Sequence, residues 1–229
     1  GVRWNNSIGV RINNSAAWLN GQGLTQQGNS QSVIEHVALW RNNQVGLQID
    51  SGSSTFSNSV IVASGPQVFA YQSATLTNLC ANYNNILMET QALVAVITSS
   101  NQWFDSVSAW SHASGQDQSS LAEEPLFANP QSGDFHLKTE AIQGRYLPGV
   151  GFVLDSETSR LIDAGAPDAP FGLELVPNGG RVNIGVFGNT LEASKSITNQ
   201  SLYAATHRQG GVASGTSLLH WVSYNMSSS

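Results

Sequence analysis

Few residues of this chain could carry out catalysis, and Arg41 and Asp105 are the best candidates. Arg41 follows Trp40 and lies a few residues after Glu35; it could be a functional residue, or it could be a surface residue at a turn. Hydrolysis of a glycosidic bond needs two carboxyl groups roughly 5–9 Å apart. Asp105 has only Asp117 nearby in the sequence, and no Asp-Asp or Asp-x-Asp pair occurs. The sequence therefore favours a chain without a catalytic site of its own.

Three aromatic residues could instead bind a ligand. Trp40, Tyr83 and Trp110 each lie three residues after an anchor position of a repeat. If this position faces solvent, the rings form a strip that can stack on sugar rings, because aromatic side chains combine an apolar face with a polar edge. The alternative is that the rings fill the core, since large aromatic side chains are usually highly buried. Both interpretations stay open on the sequence alone.

The sequence gives little support to a metal site. The position two residues before each anchor holds Glu35, Asn58, Asn78 and Asp105. Ca²⁺ binds about six to eight oxygens, but with roughly 4.8 Å between stacked strands Glu35 and Asp105 would lie roughly 14 Å apart. The single cysteine, Cys80, excludes a Cys/His zinc spacing. We expect no metal site, with Ca²⁺ as the one ion that the acids could hold.

These candidates depend on a repeated unit that runs from Ser32 to Gly115. Each of its four copies has an apolar residue, then a polar one two places later, then a small or β-branched apolar anchor two places after that. The copies are Val33/Glu35/Val37, Phe56/Asn58/Val60, Leu76/Asn78/Cys80 and Trp103/Asp105/Val107. Their anchors are 23, 20 and 27 positions apart. Self-similarity at this period is typical of a solenoid, and the β-branched residues favour strands.

We therefore predict an all-β fold, a right-handed parallel β-helix (a solenoid) with about five or six coils in residues 1–121. Cys80 occupies an anchor and is expected in the core. Residues 122–200 are predicted to form an irregular C-terminal cap, in which Arg181 pairs with Asp163 or Asp168 as a structural clamp. Residues 201–229 are either a tail or the truncated start of an immunoglobulin-like or fibronectin type III-like module, because only about two of roughly seven strands fit.

The composition of the chain limits the classes of partner that it can bind. The chain has 229 residues, of which 10% are charged, and a net charge of −6. Its nine Lys and Arg residues are scattered, which disfavours nucleic acid and anionic membranes as partners. No run of eighteen apolar residues occurs, so we predict no membrane insertion. A polarity based on Ser, Asn and Gln is typical of extracellular β-rich proteins. The start at Gly1 suggests a piece of a longer secreted protein.

Three motifs near the C-terminus are distinctive. They are P-L-F-x-N-P-x-x-G-D-F-H-L from Pro125, I-D-A-G-x-P from Ile162, and N-G-G-R-V-N-I-G-x-F-G-N-T-x-E-A-S from Asn178. Together they resemble the C-terminal end of secreted bacterial right-handed β-helix proteins of the pectate-lyase-like superfamily. The resemblance covers residues 124–196, and the preceding coils by pattern only. It implies the fold and export. For a lyase it also implies Asp-bound Ca²⁺ and an Arg or Lys base, for which Arg41 is the best match.

The function that we expect is an extracellular, non-catalytic scaffold or recognition module of a larger secreted or surface protein. It would contact polysaccharide, through Trp40, Tyr83 and Trp110, or other surface proteins. One alternative is a polysaccharide lyase or glycoside hydrolase whose active coils lie partly upstream. Another is a self-associating filament or adhesin unit. Arg41 flanked by acids would favour the enzyme, whereas a buried aromatic column would favour the scaffold.

Overall fold

The computed structural model describes residues 1–198 and, for the backbone alone, the strands Ser201–Thr206 and Leu219–Tyr224. The fold is 40% strand and 6% helix, and its stacked parallel coils form a β-solenoid of about four turns. The predicted all-β solenoid is therefore confirmed, with fewer turns than the five or six expected. The module predicted for 201–229 lies outside the residues whose side chains are described.

The secondary structure is given in chain order. The strands of the coils are β1 Val2–Asn5, β2 Val10–Trp18, β3 Gln22–Gln27, β4 Gln31–Trp40, β5 Val45–Ile49, β6 Ser53–Ser57, β7 Val60–Ser64, β8 Phe69–Ser73, β9 Leu79–Asn82, β10 Asn85–Glu89, β11 Leu93–Ile97 and β12 Gln102–Phe104. They are followed by helix α1 Val107–Ser114, β13 Phe127–Asn129, a 3₁₀ helix Pro130–Ser132, β14 Asp134–Leu137, β15 Arg145–Leu147, β16 Gly151–Val153, β17 Ser201–Thr206 and β18 Leu219–Tyr224.

The coils build two sheets. The first sheet has the order β1-β3-β5-β8-β11-β12, and its pairings are parallel except for that of β11 with β12. In the second sheet, β2 and β4 run side by side along their whole length. The first half of β4 pairs with β6 and its second half with β7, and β9 and β10 extend these two halves. The second sheet is therefore folded along a line that crosses β2 and β4.

One residue of each coil lies on this fold line in the left-handed backbone conformation. These residues are Asn14, His36, Asn58 and Tyr83, with φ of 46°, 52°, 49° and 54°, and we call them the corner column. The strand registers place them level with one another. Left-handed backbone is uncommon for residues other than glycine, and Asn tolerates it best. The corner column bends every coil at the same place.

The observed registers differ from the predicted alignment of the repeats. Val60 pairs with Ala38 rather than lying level with Val37. A shift of one residue turns a side chain to the opposite face of a strand. Cys80 pairs with Thr55 of β6, five positions before Val60, and its side chain is exposed, while its two neighbours in β9 are buried. The prediction that Cys80 is a core residue is wrong for this reason.

The fourth predicted repeat does not form a coil. Strand β12 pairs antiparallel with β11, and the chain then enters α1. The side chain of Ser106 caps the start of the helix, and Gly115, with φ of 71°, ends it. Val107 and Trp110 on α1 pack into the interior of the solenoid. The helix therefore closes this end of the stack, where a further strand was expected.

A second apolar core lies outside the coils. Val60 and Val62 flank Ile61 on β7; Ile61 belongs to the interior core and the two valines to this second core. Residues from the C-terminal segment cover them, namely Phe127, Phe135, Leu137, Leu161, Ile162, Ala164, Ile184 and Val186. The segment predicted as a cap therefore runs along the flank of the second sheet, while α1 covers the end of the stack.

Candidate functional site

The three aromatic residues predicted to bind a ligand do not form a strip. Trp110 is fully buried in the interior core, where its indole Nε1 donates to Asp117 Oδ2 over 3.0 Å. Trp40 is 5% exposed and lies beneath the C-terminal segment. Tyr83 belongs to the corner column. The prediction is wrong because the observed register aligns Trp40 with Val62 of β7 and with neither of the other aromatic residues.

Arg41 is held in an ion pair. Its Nε and one terminal nitrogen donate to the Glu89 carboxylate over 2.7 and 2.9 Å, and its guanidinium carbon lies 4.7 Å from the centroid of the Trp40 ring. The hydrogen bond that Arg41 donates to Glu89 raises the pKa of Arg41, with further contributions from the charges of Glu89 and Glu124. A catalytic base must be able to lose its proton, so this environment opposes that role for Arg41.

The two acids near α1 lie in different environments. Asp105 is exposed just before the helix. Asp117 is fully buried and accepts hydrogen bonds from Asn84, Ser120 and Trp110 at 3.0, 2.6 and 3.0 Å. Burial raises the pKa of Asp117 against these bonds. Asp117 is a structural group that fastens α1 to the last coil, so it does not lie beside Asp105 on the surface.

The contacts of Arg181 differ from the ion pair that was predicted to form a clamp. Arg181 donates to the backbone carbonyls of Ala164 and Gly165, and not to a carboxylate. Asp163 is buried and accepts from the Gly179 amide over 2.9 Å and from the Ser196 hydroxyl over 2.6 Å. The charge of Asp163 acts on the pKa of Arg181, but burial dominates and lowers it.

Asp168, the other predicted partner of Arg181, is exposed, so the predicted ion pair is wrong. Within residues 1–198 no group of three or more His, Cys, Asp or Glu residues is arranged to hold a metal ion.

The outer face of the first sheet carries residues that the sequence alone did not single out. The strand registers align Arg3, Thr25, Gln48, Gln72, Val96 and Trp103 across the six strands, and we call this set the outer column. Successive strands in a sheet are roughly 4.8 Å apart. The outer column is therefore a regular row of side chains that runs across the strands, in which Thr25 and Val96 are buried beneath their neighbours.

Side-chain amides in and beside the outer column are linked by hydrogen bonds. Gln22 donates to Gln48 over 2.8 Å, and Gln48 donates to Asp50 over 2.7 Å. Gln27 donates to the other Asp50 oxygen over 3.0 Å, and Arg3 donates to Gln22 over 3.0 Å. This network holds the amides in fixed orientations at the β1 end of the face. A cavity of about 330 Å³ opens beside it, lined by Gly1, Val2, Arg3, Asn20, Gly21, Gln22 and Thr25.

The other end of the outer column is aromatic. Trp103 is 50% exposed, and its ring meets Phe69 edge to face at 5.6 Å. Its Nε1 donates to Asn101 over 3.1 Å. Val96 separates Trp103 from Gln72, whose side chain has no hydrogen bond in the described part of the chain. An exposed indole near a free amide can stack on the apolar face of a ligand and hydrogen-bond its hydroxyl groups.

A signal for the outer column does exist in the sequence. Thr25, Gln48 and Gln72 follow one another at intervals of 23 and 24 residues. These intervals are more regular than those between the anchors. This signal lies in the second strand of each coil, whereas the repeat was aligned on the first. Trp103 has no such signal, because β12 pairs antiparallel with β11 and is not a further copy of this strand.

Comparisons with protein-family models, with curated proteins and with solved structures each gave no match to this chain. The resemblance to pectate-lyase-like proteins therefore remains a prediction. None of the helices in the described residues has both the length and the apolar character needed to cross a membrane.

Proposed function

We propose that this chain is a non-catalytic recognition module of a larger extracellular protein, and that it binds a polysaccharide on the outer face of the first sheet. The observation that carries the proposal is the outer column, in which Gln48 and Gln72 lead to the half-exposed Trp103. The surface differs from the aromatic strip that the sequence suggested, whereas the class of ligand is the same.

The chemistry of the face favours a sugar chain. A side-chain amide offers two donors and one carbonyl acceptor, which suits the hydroxyl groups of a sugar. The regular spacing of the strands suits a polymer whose units repeat along the row. Among the described residues, Arg3 lies on this face and Asp50 and Asp105 directly follow its strands β5 and β12. Arg3 and Asp50 are engaged by neighbouring glutamines, and the exposed acid Asp105 would repel an anionic ligand. A neutral polysaccharide is therefore favoured over an acidic one.

The same residues favour binding without catalysis. Asp50 is a single acid whose two oxygens each accept from an amide, and glycoside hydrolysis requires two carboxyl groups. Arg41 is paired with Glu89 and sits at the far end of β4, away from the outer column. A lyase or hydrolase therefore has less support than a binding module. Self-association has no specific contact in its favour among the described residues.

The test is binding to a panel of neutral and acidic polysaccharides by affinity electrophoresis and calorimetry. Trp103→Ala should weaken binding about tenfold or more, which corresponds to ~1.4 kcal/mol, and Trp103→Phe should retain most of it. Trp18→Ala is the matched control, because Trp18 is 38% exposed but lies on the second sheet. Equal loss in both alanine variants, or no binding by wild type, would count against the proposal.

A further inference from the structure

The C-terminal segment contains a strap that lies across the corner column. We define the strap as residues 161–189. Asn14 donates to the carbonyls of Val186 and Gly188 over 2.7 and 3.0 Å. Asn58 accepts from the Ala166 amide over 2.7 Å, and the Asn58 carbonyl accepts from the Gly185 amide over 2.8 Å. Asn14 and Asn58, the first and third residues of the corner column, therefore hold the strap by hydrogen bonds.

His36 lies between these two positions and meets the same part of the strap. It is 7% exposed, and its imidazole lies against the backbone of Gly185. Its Nδ1 is buried and has no hydrogen-bond partner among the described residues. Gly188 packs directly against this edge of the ring, so closely that a methyl group on Gly188 would overlap Nδ1. Protonation of the ring would place a charge and an extra N–H in a contact that offers no acceptor.

Glu174 holds the same loop from within the strap. Its Oε1 accepts hydrogen bonds from the amides of Asn183 and Asn189, both at 2.9 Å. Its Oε2 is buried and finds no hydrogen-bond partner in the part of the chain that the structure describes, and the residue is 5% exposed. The loop 183–189 is therefore held at both of its ends by Glu174 and packed in its middle against His36. Ionisation of Glu174 would leave a buried charge with one unsatisfied oxygen.

We propose that His36 and Glu174 form a pH-compensated latch, in which two buried groups with opposite responses to acid keep the strap attached at constant strength in mildly acidic solution. Acid charges His36 and so weakens its contact with Gly188. The same acid neutralises Glu174 and so strengthens the loop that Glu174 holds. If either group is removed, the effect of acid on the other is no longer opposed. The strength with which the strap is attached would then change with pH.

The signs of the two effects follow from burial. Burial lowers the pKa of His36 to about 4, from an ordinary value of about 6.5, so its contribution to stability is lost as the pH falls through this window. Burial raises the pKa of Glu174 to about 7, from an ordinary value of about 4.3, so its contribution is lost as the pH rises through that window. The windows overlap between about pH 4.5 and 6.5, where the two effects oppose each other.

Other titratable and charged groups also face the loop. Asp163 lies near Glu174 and contributes to raising its pKa through its charge, and Arg181 lies near Asp163. On the other side Phe187 stacks on His136 at 3.6 Å. His136 contacts Asp134 at 2.7 Å and Glu192 at 3.5 Å. None of these groups is replaced in the variants that test the latch. Because the charge of Asp163 acts on Glu174, the response of Asp163 cancels only between proteins that have the same residue at position 174.

The test uses hydrogen exchange of the amides in the loop 183–189, expressed as protection factors corrected for the intrinsic pH dependence of exchange. Three variants are compared with wild type between about pH 5 and pH 6.5: His36→Asn, Glu174→Gln and the double variant. Asn is a suitable replacement at position 36, because Asn14 and Asn58 already occupy the corner column in the left-handed conformation. His112→Asn and Asp168→Asn, which change exposed groups, are the matched controls.

Wild type and the double variant should change less than about threefold over this range. Protection in Glu174→Gln should fall as the solution is acidified, and protection in His36→Asn should rise, each by up to about tenfold per pH unit. Flat behaviour in either single variant overturns the proposal, as does a wild-type slope as steep as theirs. If a single variant is too unstable to measure, His36→Gln or Glu174→Met is used in its place. Polysaccharide binding on the first sheet should be unaffected, so failure here leaves the proposed function intact.

Discussion

The carboxylate of Asp117 and the indole of Trp110 form a fully buried pair, joined at 3.0 Å, between the loop after α1 and the helix itself. Asp117 also accepts from Asn84 and Ser120. The hydrogen bonds fix the helix at the end of the coils, because all four side chains lie out of reach of solvent or nearly so. The tryptophan that was a candidate for ligand binding is thus part of the closure of the stack.

Replacement of Asp117 should destabilise the protein strongly. In Asp117→Ala, the donors of Asn84, Ser120 and Trp110 lose a buried acceptor, and we expect a loss of about 3 kcal/mol in the free energy of unfolding. Asp117→Asn should cost less, because one acceptor oxygen remains. Urea denaturation measures both, with Asp105→Asn as the exposed control near the same helix. An unchanged denaturation midpoint in Asp117→Ala would contradict this account of the helix closure.

Gly188→Ala should be damaging because of where Gly188 lies. A methyl group there would overlap His36 Nδ1 and the carbonyl oxygen of Asn183, and overpacking of this kind costs about 3 kcal/mol. Gly172→Ala is the matched control in the strap, since nothing lies within 4 Å of the added carbon. Thermal unfolding of the two variants should differ clearly. Equal stabilities would mean that the strap is not packed on His36 as described.

Two substitutions at Asn58 separate its hydrogen bond from its backbone conformation. Asn58→Gly keeps the left-handed backbone but leaves the Ala166 amide without its acceptor, which costs about 1–3 kcal/mol. Asn58→Ala loses the same bond and adds the strain of a Cβ in the left-handed region, about 1 kcal/mol more. Chemical denaturation should therefore rank wild type above Asn58→Gly, and Asn58→Gly above Asn58→Ala. If Asn58→Ala were the more stable variant, the corner would not depend on φ as proposed.

Arg41→Ala should have only a small effect. The ion pair with Glu89 is partly exposed, with 40% of the Arg41 side chain accessible, and such pairs contribute less than about 1 kcal/mol. The small loss should shrink further in high salt, because exposed charges are screened. Polysaccharide affinity should not change. A large loss of affinity in Arg41→Ala would move the binding site from the first sheet to the region around Arg41.

The sequence predicts the fold better than it predicts the surfaces. A period of twenty-odd residues and alternating β-branched positions suffice to indicate stacked strands. To predict which side chains face solvent, the strand register must be correct to a single residue. The repeats predicted from the sequence are aligned on residues that do not pair. Cys80 illustrates the resulting error, since it is exposed although it lies only one position from the buried Ala81.

The positions of the candidate site residues depend on two departures from the repeat, which the repeat pattern itself does not predict. Trp103 lies on the outer face because β12 pairs it with Val96 at the edge of the first sheet, and Trp110 is buried because α1 replaces the next coil. Ser106 and Gly115 do mark the ends of that helix in the sequence. The corner column was harder to recognise, because His36 and Tyr83 interrupt a position that Asn14 and Asn58 occupy.

The course of the strap has a mechanical consequence. In most solenoids each coil touches only the next, so the stack can peel apart one coil at a time from an end. Here one continuous segment contacts Asn14, His36 and Asn58 in three successive coils. A pulling force that separates two of these coils must also shear the strap along its length. The protein should therefore resist tension as one block and give way in a single rupture.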